Sequence, residues 1–213
     1  NLTNTDKWKG GDIEYTNSCN NPSLENGFYT RFSKGTSQAT KFWNFEKDKI
    51  KNGVIYDDHY VSPMYYWYLN YCPIQDSVRS KKSFPLVMDN DMFFYLYIML
   101  CILKGKHAVV LKARQKGYSL KIMSILYWSY CWFPGTVNTI GAIDEEKVKK
   151  SWQFLERYRN HTNKNTSNYF RRGPVRPKAL EWYERIDLAD GGFIGQDSTL
   201  KGTTFQKSPE AGV

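Results

Sequence analysis

The residue types able to do chemistry gather between positions 107 and 119. There His107-Ala108-Val109-Val110-Leu111-Lys112-Ala113-Arg114-Gln115-Lys116-Gly117-Tyr118-Ser119 reads as a buried strand, a basic glycine loop and a helix start. The chemistry that order suits is phosphate binding. A loop turning from strand to helix aims several backbone N–H groups at one spot, and the positive end of the helix dipole adds to them. Lysine, arginine and a serine hydroxyl then supply what a nucleoside triphosphate and its magnesium need. Against the pattern GxxxxGK[ST], Gly117 and Ser119 fit, whereas Tyr118 stands at the lysine position and Lys112 at the first glycine. Lys112, at the strand end, is therefore expected to send its ammonium over the loop, with Lys116 as the rival donor. An ordinary strand, loop and helix with exposed basic residues is the competing reading of the same stretch.

The elements that must position these residues follow from pattern. Residues 1 to about 50 are polar with scattered aromatics, broken by Gly10-Gly11, Asn20-Asn21-Pro22 and Gly35, and read as an irregular arm. Tyr56 to Ile74 is rich in aromatic and β-branched residues, with Asp57-Asp58 as a turn, which predicts an extended or hairpin-like segment. Asp89-Asn90-Asp91 opens a helix whose apolar body is Met92 to Leu103. Ser119 to Trp132 is apolar on nearly every face, as in a central helix, and Phe133-Pro134-Gly135 stops it. Val137 to Ile143 reads as a short buried strand. Asp144-Glu145-Glu146 then starts a helix with Val148, Trp152, Leu155 and Tyr158 toward the core. This βαβα run predicts an α/β fold with a parallel sheet and covering helices. Ala179 to Tyr183, Gly192 to Ile194 and Leu200 to Phe205 read as further strands.

A chain of 213 residues buries one core, with room for a small additional subdomain. A net charge of +9 and a pI near 9.2 favour an anionic partner. Arg171, Arg172, Arg176 and Lys178, interleaved with Gly173, Pro174 and Pro177 in a stretch expected to be irregular, are candidates to track DNA phosphates without reading bases. A solvated charged surface is the alternative for each. Cys19, Cys72, Cys101 and Cys131 have no CxxC pair and no histidine spaced to finish a zinc site, so they read as reduced core residues. The apolar runs Met92 to Leu103 and Ile122 to Phe133 are shorter than the roughly 20 residues that span a bilayer, so no transmembrane segment is expected.

Two stretches also carry a family resemblance. The loop from Lys112 to Ser119 resembles the deviant Walker A of large terminase subunits, the ATPases that drive DNA into viral procapsids. Arg114-Gln115 stands before the glycine, the lysine is moved to the loop's beginning, and Gly117-Tyr118-Ser119 closes it. Upstream, His59-Tyr60-Val61-Ser62-Pro63-Met64-Tyr65-Tyr66-Trp67-Tyr68-Leu69-Asn70-Tyr71-Cys72-Pro73-Ile74 looks like the aromatic segment that forms the adenine side of such sites. The resemblance covers about residues 50 to 213. It implies an ASCE-type P-loop NTPase fold, incomplete, in three parts: an irregular arm (1–50), an adenine-side segment and helix (51–105), and the front half of the ATPase domain (106–213).

ATP and Mg2+ are the cofactors so implied. Lys112, Ala113, Arg114, Gln115, Lys116, Gly117, Tyr118 and Ser119 would cradle the phosphates, and Ser119 would ligate magnesium. Lys112 and Arg114 would be catalytic, while Tyr66, Tyr68 and Tyr71 would stack on adenine. The implied partners are double-stranded DNA, a portal and a small terminase subunit, in a homo-oligomeric ring when complete, in the host cytoplasm at the procapsid portal and without a membrane. The Walker B carboxylates and nuclease lie outside the matching span, so this chain alone is expected to be inactive. Asp144, Glu145 and Glu146 follow the wrong strand for that role. The rival expectations are a P-loop helicase or translocase, and a non-enzymatic basic nucleic-acid-binding module.

Overall fold

A computed structural model describes residues 29, 32–33, 35–56, 59–75, 82–113, 116–133, 136–142 and 145–166, with the main chain of 176–180, 183–187 and 199–204. The first element, α1 (Ser37–Asn52), falls in the span read as an irregular arm. Its start is set by Thr36, whose hydroxyl accepts from the Ala39 N–H at 3.2 Å, and its end by Gly53, whose N–H reaches the Lys49 carbonyl at 2.8 Å. Ala39, Trp43, Glu46, Lys49 and Ile50 form its buried face. β1 (Val54–Tyr56) and β2 (His59–Val61) then make the expected hairpin, with Tyr56 opposite His59.

The next element departs from expectation. Pro63–Tyr71 is helix α2, and all nine of its residues are buried. Aromatic side chains favour strands only where they pack on a half-buried pleated surface. Here Pro63 presets the first helical turn, and a segment apolar on every side suits a helix enclosed by others. β3 (Ile74–Gln75) and β4 (Lys82–Ser83) form a second short antiparallel pair.

Besides α1, three helices enclose α2. They are α3 (Asp89–Leu103) and α4 (Tyr118–Trp132), close to the predicted limits, and α5 (Glu145–Asn165), close to its predicted start. The Trp67 ring stacks on Tyr71 at 4.8 Å between centroids and meets Tyr127 and Trp132 at 5.7 and 5.8 Å, while Tyr65 stacks on Tyr95 at 5.2 Å. Such aromatic pairs add about 0.5–1.5 kcal/mol each beyond the area they bury. The core also holds a charge. The Glu46 carboxylate accepts from Tyr71 at 2.6 Å, Tyr66 at 2.9 and 3.0 Å, and Lys49 at 3.0 Å, so its lone pairs are well used out of water. The Trp128 indole N–H reaches the Ile50 carbonyl at 2.8 Å and ties α4 to α1.

The main sheet is mixed. β5 (Val137–Ala142), β6 (Arg176–Leu180), β7 (Tyr183–Asp187) and β8 (Thr199–Thr204) lie in the order β5-β8-β7-β6. Only β5 and β8 run parallel; β7 is antiparallel to both β8 and β6. The expected P-loop parallel sheet is therefore overturned. The decisive departure is the stretch read as its phosphate-side strand: residues 106–113 belong to no strand and no helix. Leu111 is 95% and Val109 77% exposed, the opposite of a buried central strand. β-propensity creates a strand only where a ladder partner takes up the main-chain groups, and no described strand pairs with this stretch. The expectation of irregular chain around Arg176 is corrected as well, since Arg176–Leu180 is the edge strand β6. The reading of Gly192 to Ile194 lies outside the described residues.

Candidate nucleic-acid interface

The loop that was expected to hold phosphates lacks the geometry for it. Lys112, Ala113 and Lys116 are exposed, and Arg114 and Gln115 lie outside the described residues. Gly117, at φ +69°, is in the left-handed region and caps α4 without any side-chain capping bond. A Cβ placed there would meet nothing within 4 Å, so the glycine serves the turn rather than close approach by another group. Ser119 is exposed, and the Tyr118 ring packs edge-on against Phe94 at 5.1 Å.

The cation that organises this corner is one the motif did not single out. Lys121, buried, is ion-paired with Asp91 of α3, donates to the Lys116 carbonyl at 3.2 Å and lies 4.5 Å over the Tyr118 ring. Asp91 therefore stands beside the helix start where a phosphate would need positive charge. Its sequence signal was a lone lysine within an apolar helix, which requires a buried partner.

Without a strand leading into the loop, the backbone N–H cradle of a Walker A is not assembled, and the terminase, ATPase and P-loop helicase readings are overturned together. Among the described residues no three His, Cys, Asp or Glu side chains come together. Tyr66, Tyr68 and Tyr71, nominated to stack on adenine, are buried in the core. Tyr66 and Tyr71 spend their hydroxyls on Glu46, and burial raises the Tyr68 and Tyr71 phenols well above the ordinary tyrosine range. Cys72 and Cys131 are buried thiols, as the core reading expects, but Cys101 is only half-buried and Cys19 lies outside the described residues; burial first, then the neighbouring Cys131, pushes the Cys72 thiol up and makes it inert. Among the described residues, no helix is long and apolar enough to cross a membrane.

Two of the four nominated DNA contacts fall on the sheet, and its register brings them new neighbours. Lys178 of β6 is opposite Arg185 of β7, which is opposite Lys201 of β8, which is opposite Thr139 of β5. Three cations thus occupy one line across three adjacent strands, spanning about 10 Å at the usual strand spacing. Residues opposite one another share a sheet face. On β5 that face carries Val137 and Thr139, both exposed, while Asn138 and Ile140 on the other face are each only 9% exposed. Glu184 occupies the other face, opposite Ala179 and Gly202. Arg176 is on the cationic face but has Asp187 opposite it in register. Arg171 and Arg172 lie outside the described residues.

Three cationic positions in one register line are a feature that the phosphates of a polyanion would match. Arg185 and Lys201 were missed in the sequence because 16 residues separate them and only strand pairing makes them neighbours. A scan against protein-family models finds no match to this chain, and a search of curated protein sequences finds none either.

Proposed function

We propose that this chain is a basic nucleic-acid-binding module that holds double-stranded DNA by its phosphates across one face of the mixed sheet. The observation that carries the reading is the register line Lys178, Arg185, Lys201, on the face that Thr139 and Val137 leave exposed. The net charge of +9 supports it, since long-range attraction to a polyanion needs such an excess. Arg171 and Arg172, a few residues before β6 in the sequence, add to the basic count, and Arg176 has Asp187 opposite it in register. Contacts of this kind grip the backbone without reading bases. ATP with magnesium enters as a competitor: its phosphates should displace DNA from the same face.

The test is DNA affinity measured over a range of salt concentrations. Replacing Lys178, Arg185 and Lys201 together by Gln should lower the slope of log affinity against log salt by about 0.9 for each phosphate that the protein no longer neutralises. Replacing Lys41, exposed on α1, should leave the slope unchanged. Thermal stability of the free protein should not fall with the triple change. A slope identical to that of the wild type would end the proposal.

A further inference from the structure

His107–Ala113 is chain with strand-forming composition and no strand around it. Just before the stretch His107-Ala108-Val109-Val110-Leu111-Lys112-Ala113 the Lys106 N–H donates to the Cys101 carbonyl at 2.8 Å, and within it Val110 packs against the core. Among the described residues, its main chain makes one hydrogen bond, from the Val109 N–H to the Tyr97 hydroxyl at 3.4 Å. No other described residue bonds to its N–H and C=O groups, and Val109 and Leu111 beside them are exposed. A main-chain edge that is both unpaired and apolar is a template for an added strand. The adjoining outer face of α3 enlarges the surface: Phe93, Tyr97, Leu100 and Leu103 are all exposed, at helical spacing. Single exposed apolar residues are ordinary, but a contiguous set beside a free edge marks a contact surface.

Charge selects the occupant. From Met92 to Ile143 the chain contains no Asp or Glu, whereas Lys104, Lys106, Lys112, Arg114, Lys116 and Lys121 all fall within it. Lys121 is neutralised by Asp91, but Lys104, Lys106, Lys112 and Lys116 are exposed and no ion pair involves them among the described residues. A second copy of the chain would bring the same lysines against them and be repelled. Nucleic acid would match the charge but leave Val109, Leu111 and Phe93 uncovered. We propose that His107–Ala113 is a strand acceptor for another protein: an extended segment, apolar at alternate positions and flanked by carboxylates, pairs with its main chain and covers the outer face of α3. This surface is separate from the cationic line of the sheet and stands or falls independently of it.

The probe is a synthetic peptide of alternating valine and threonine with two glutamates at each end, added to the whole chain. Binding is read by a fluorescent label and by amide hydrogen exchange. The peptide should slow exchange at Ala108–Lys112, and its affinity should fall about tenfold or more when lysines replace its glutamates. Leu111→Lys, a change at an exposed position, should abolish binding without altering thermal stability. The Lys104→Glu/Lys112→Glu variant should come to prefer the lysine-flanked peptide. The proposal is overturned if saturating peptide leaves exchange at these amides unchanged. Equal binding by a peptide with prolines at alternate positions, which cannot donate a ladder, would also overturn it, as would protection of the same amides by duplex DNA or by self-association.

Discussion

Gly53 and Gly117 both have positive φ, but their neighbourhoods make different demands. Gly53, at φ +80° and ψ −173°, occupies a region almost closed to other residues, and a Cβ there would sit 2.5 Å from the Val61 carbonyl oxygen and 2.9 Å from the Tyr60 ring. It lets the chain leave α1 and enter the hairpin in one step. Gly117 is left-handed, with open space where a Cβ would go. Gly117→Ala should therefore cost about 1–2 kcal/mol from backbone conformation alone. Gly53→Ala adds a main-chain clash and should cost about 3 kcal/mol or more. Urea unfolding midpoints would measure both; equal losses would show that the close approach at Gly53 relaxes freely. For the candidate site, residue type alone identified Lys178, whereas Arg185 and Lys201 needed the register to become its neighbours.

At the level of elements, α3 and α4 are joined by the buried pair Asp91–Lys121. Lys121 also holds the Lys116 carbonyl, so the pair fixes how the chain enters α4. Desolvating two charges is expensive, so the pair is not expected to outperform apolar side chains, yet breaking it strands a charge. Asp91→Ala should lower stability by about 3–5 kcal/mol, while Asp91→Leu combined with Lys121→Met should recover most of that loss. Chemical denaturation of the two variants would decide it. A double variant as unstable as the single one would mean that the ion pair is itself required for packing.

The molecule as a whole is built on buried tyrosine, and this predicts its response to alkali. Tyr65, Tyr68, Tyr71, Tyr95 and Tyr158 all have phenols raised above the ordinary value, first by burial, and at Tyr71 next by the Glu46 carboxylate. The folded state holds these protons more tightly than the unfolded state does. Their contribution is fully present below the unfolded value, about pH 10, and is lost as pH rises through the folded values. Stability should therefore be flat with respect to these groups from neutral pH to about pH 9. Above about pH 10 it should fall by up to roughly 1.4 kcal/mol per pH unit for each such tyrosine. Tyrosinate absorbance should then rise in step with loss of far-ultraviolet circular dichroism. Tyrosines that titrate gradually near pH 10 with the fold intact would refute this account.

Local pattern was sufficient wherever an element is decided by its own residues. Asp89–Leu103, Tyr118–Trp132 and Glu145–Asn165 were legible because apolar spacing, acidic first turns and a Pro-Gly stop act within a few residues of themselves. The hairpin pairing of Val54–Tyr56 with His59–Val61 was legible for the same reason. Pairing and enclosure were not. Pro63–Tyr71 became a helix because its neighbours could surround it, and His107–Ala113 stayed outside any strand because no described segment supplies its ladder. The line Lys178, Arg185, Lys201 exists only through strand register. Hydrogen bonds within a helix close over four residues and can be anticipated from local pattern. A β-ladder joins residues far apart in the chain, so its partners, and the surface chemistry they create, are decided by the tertiary structure.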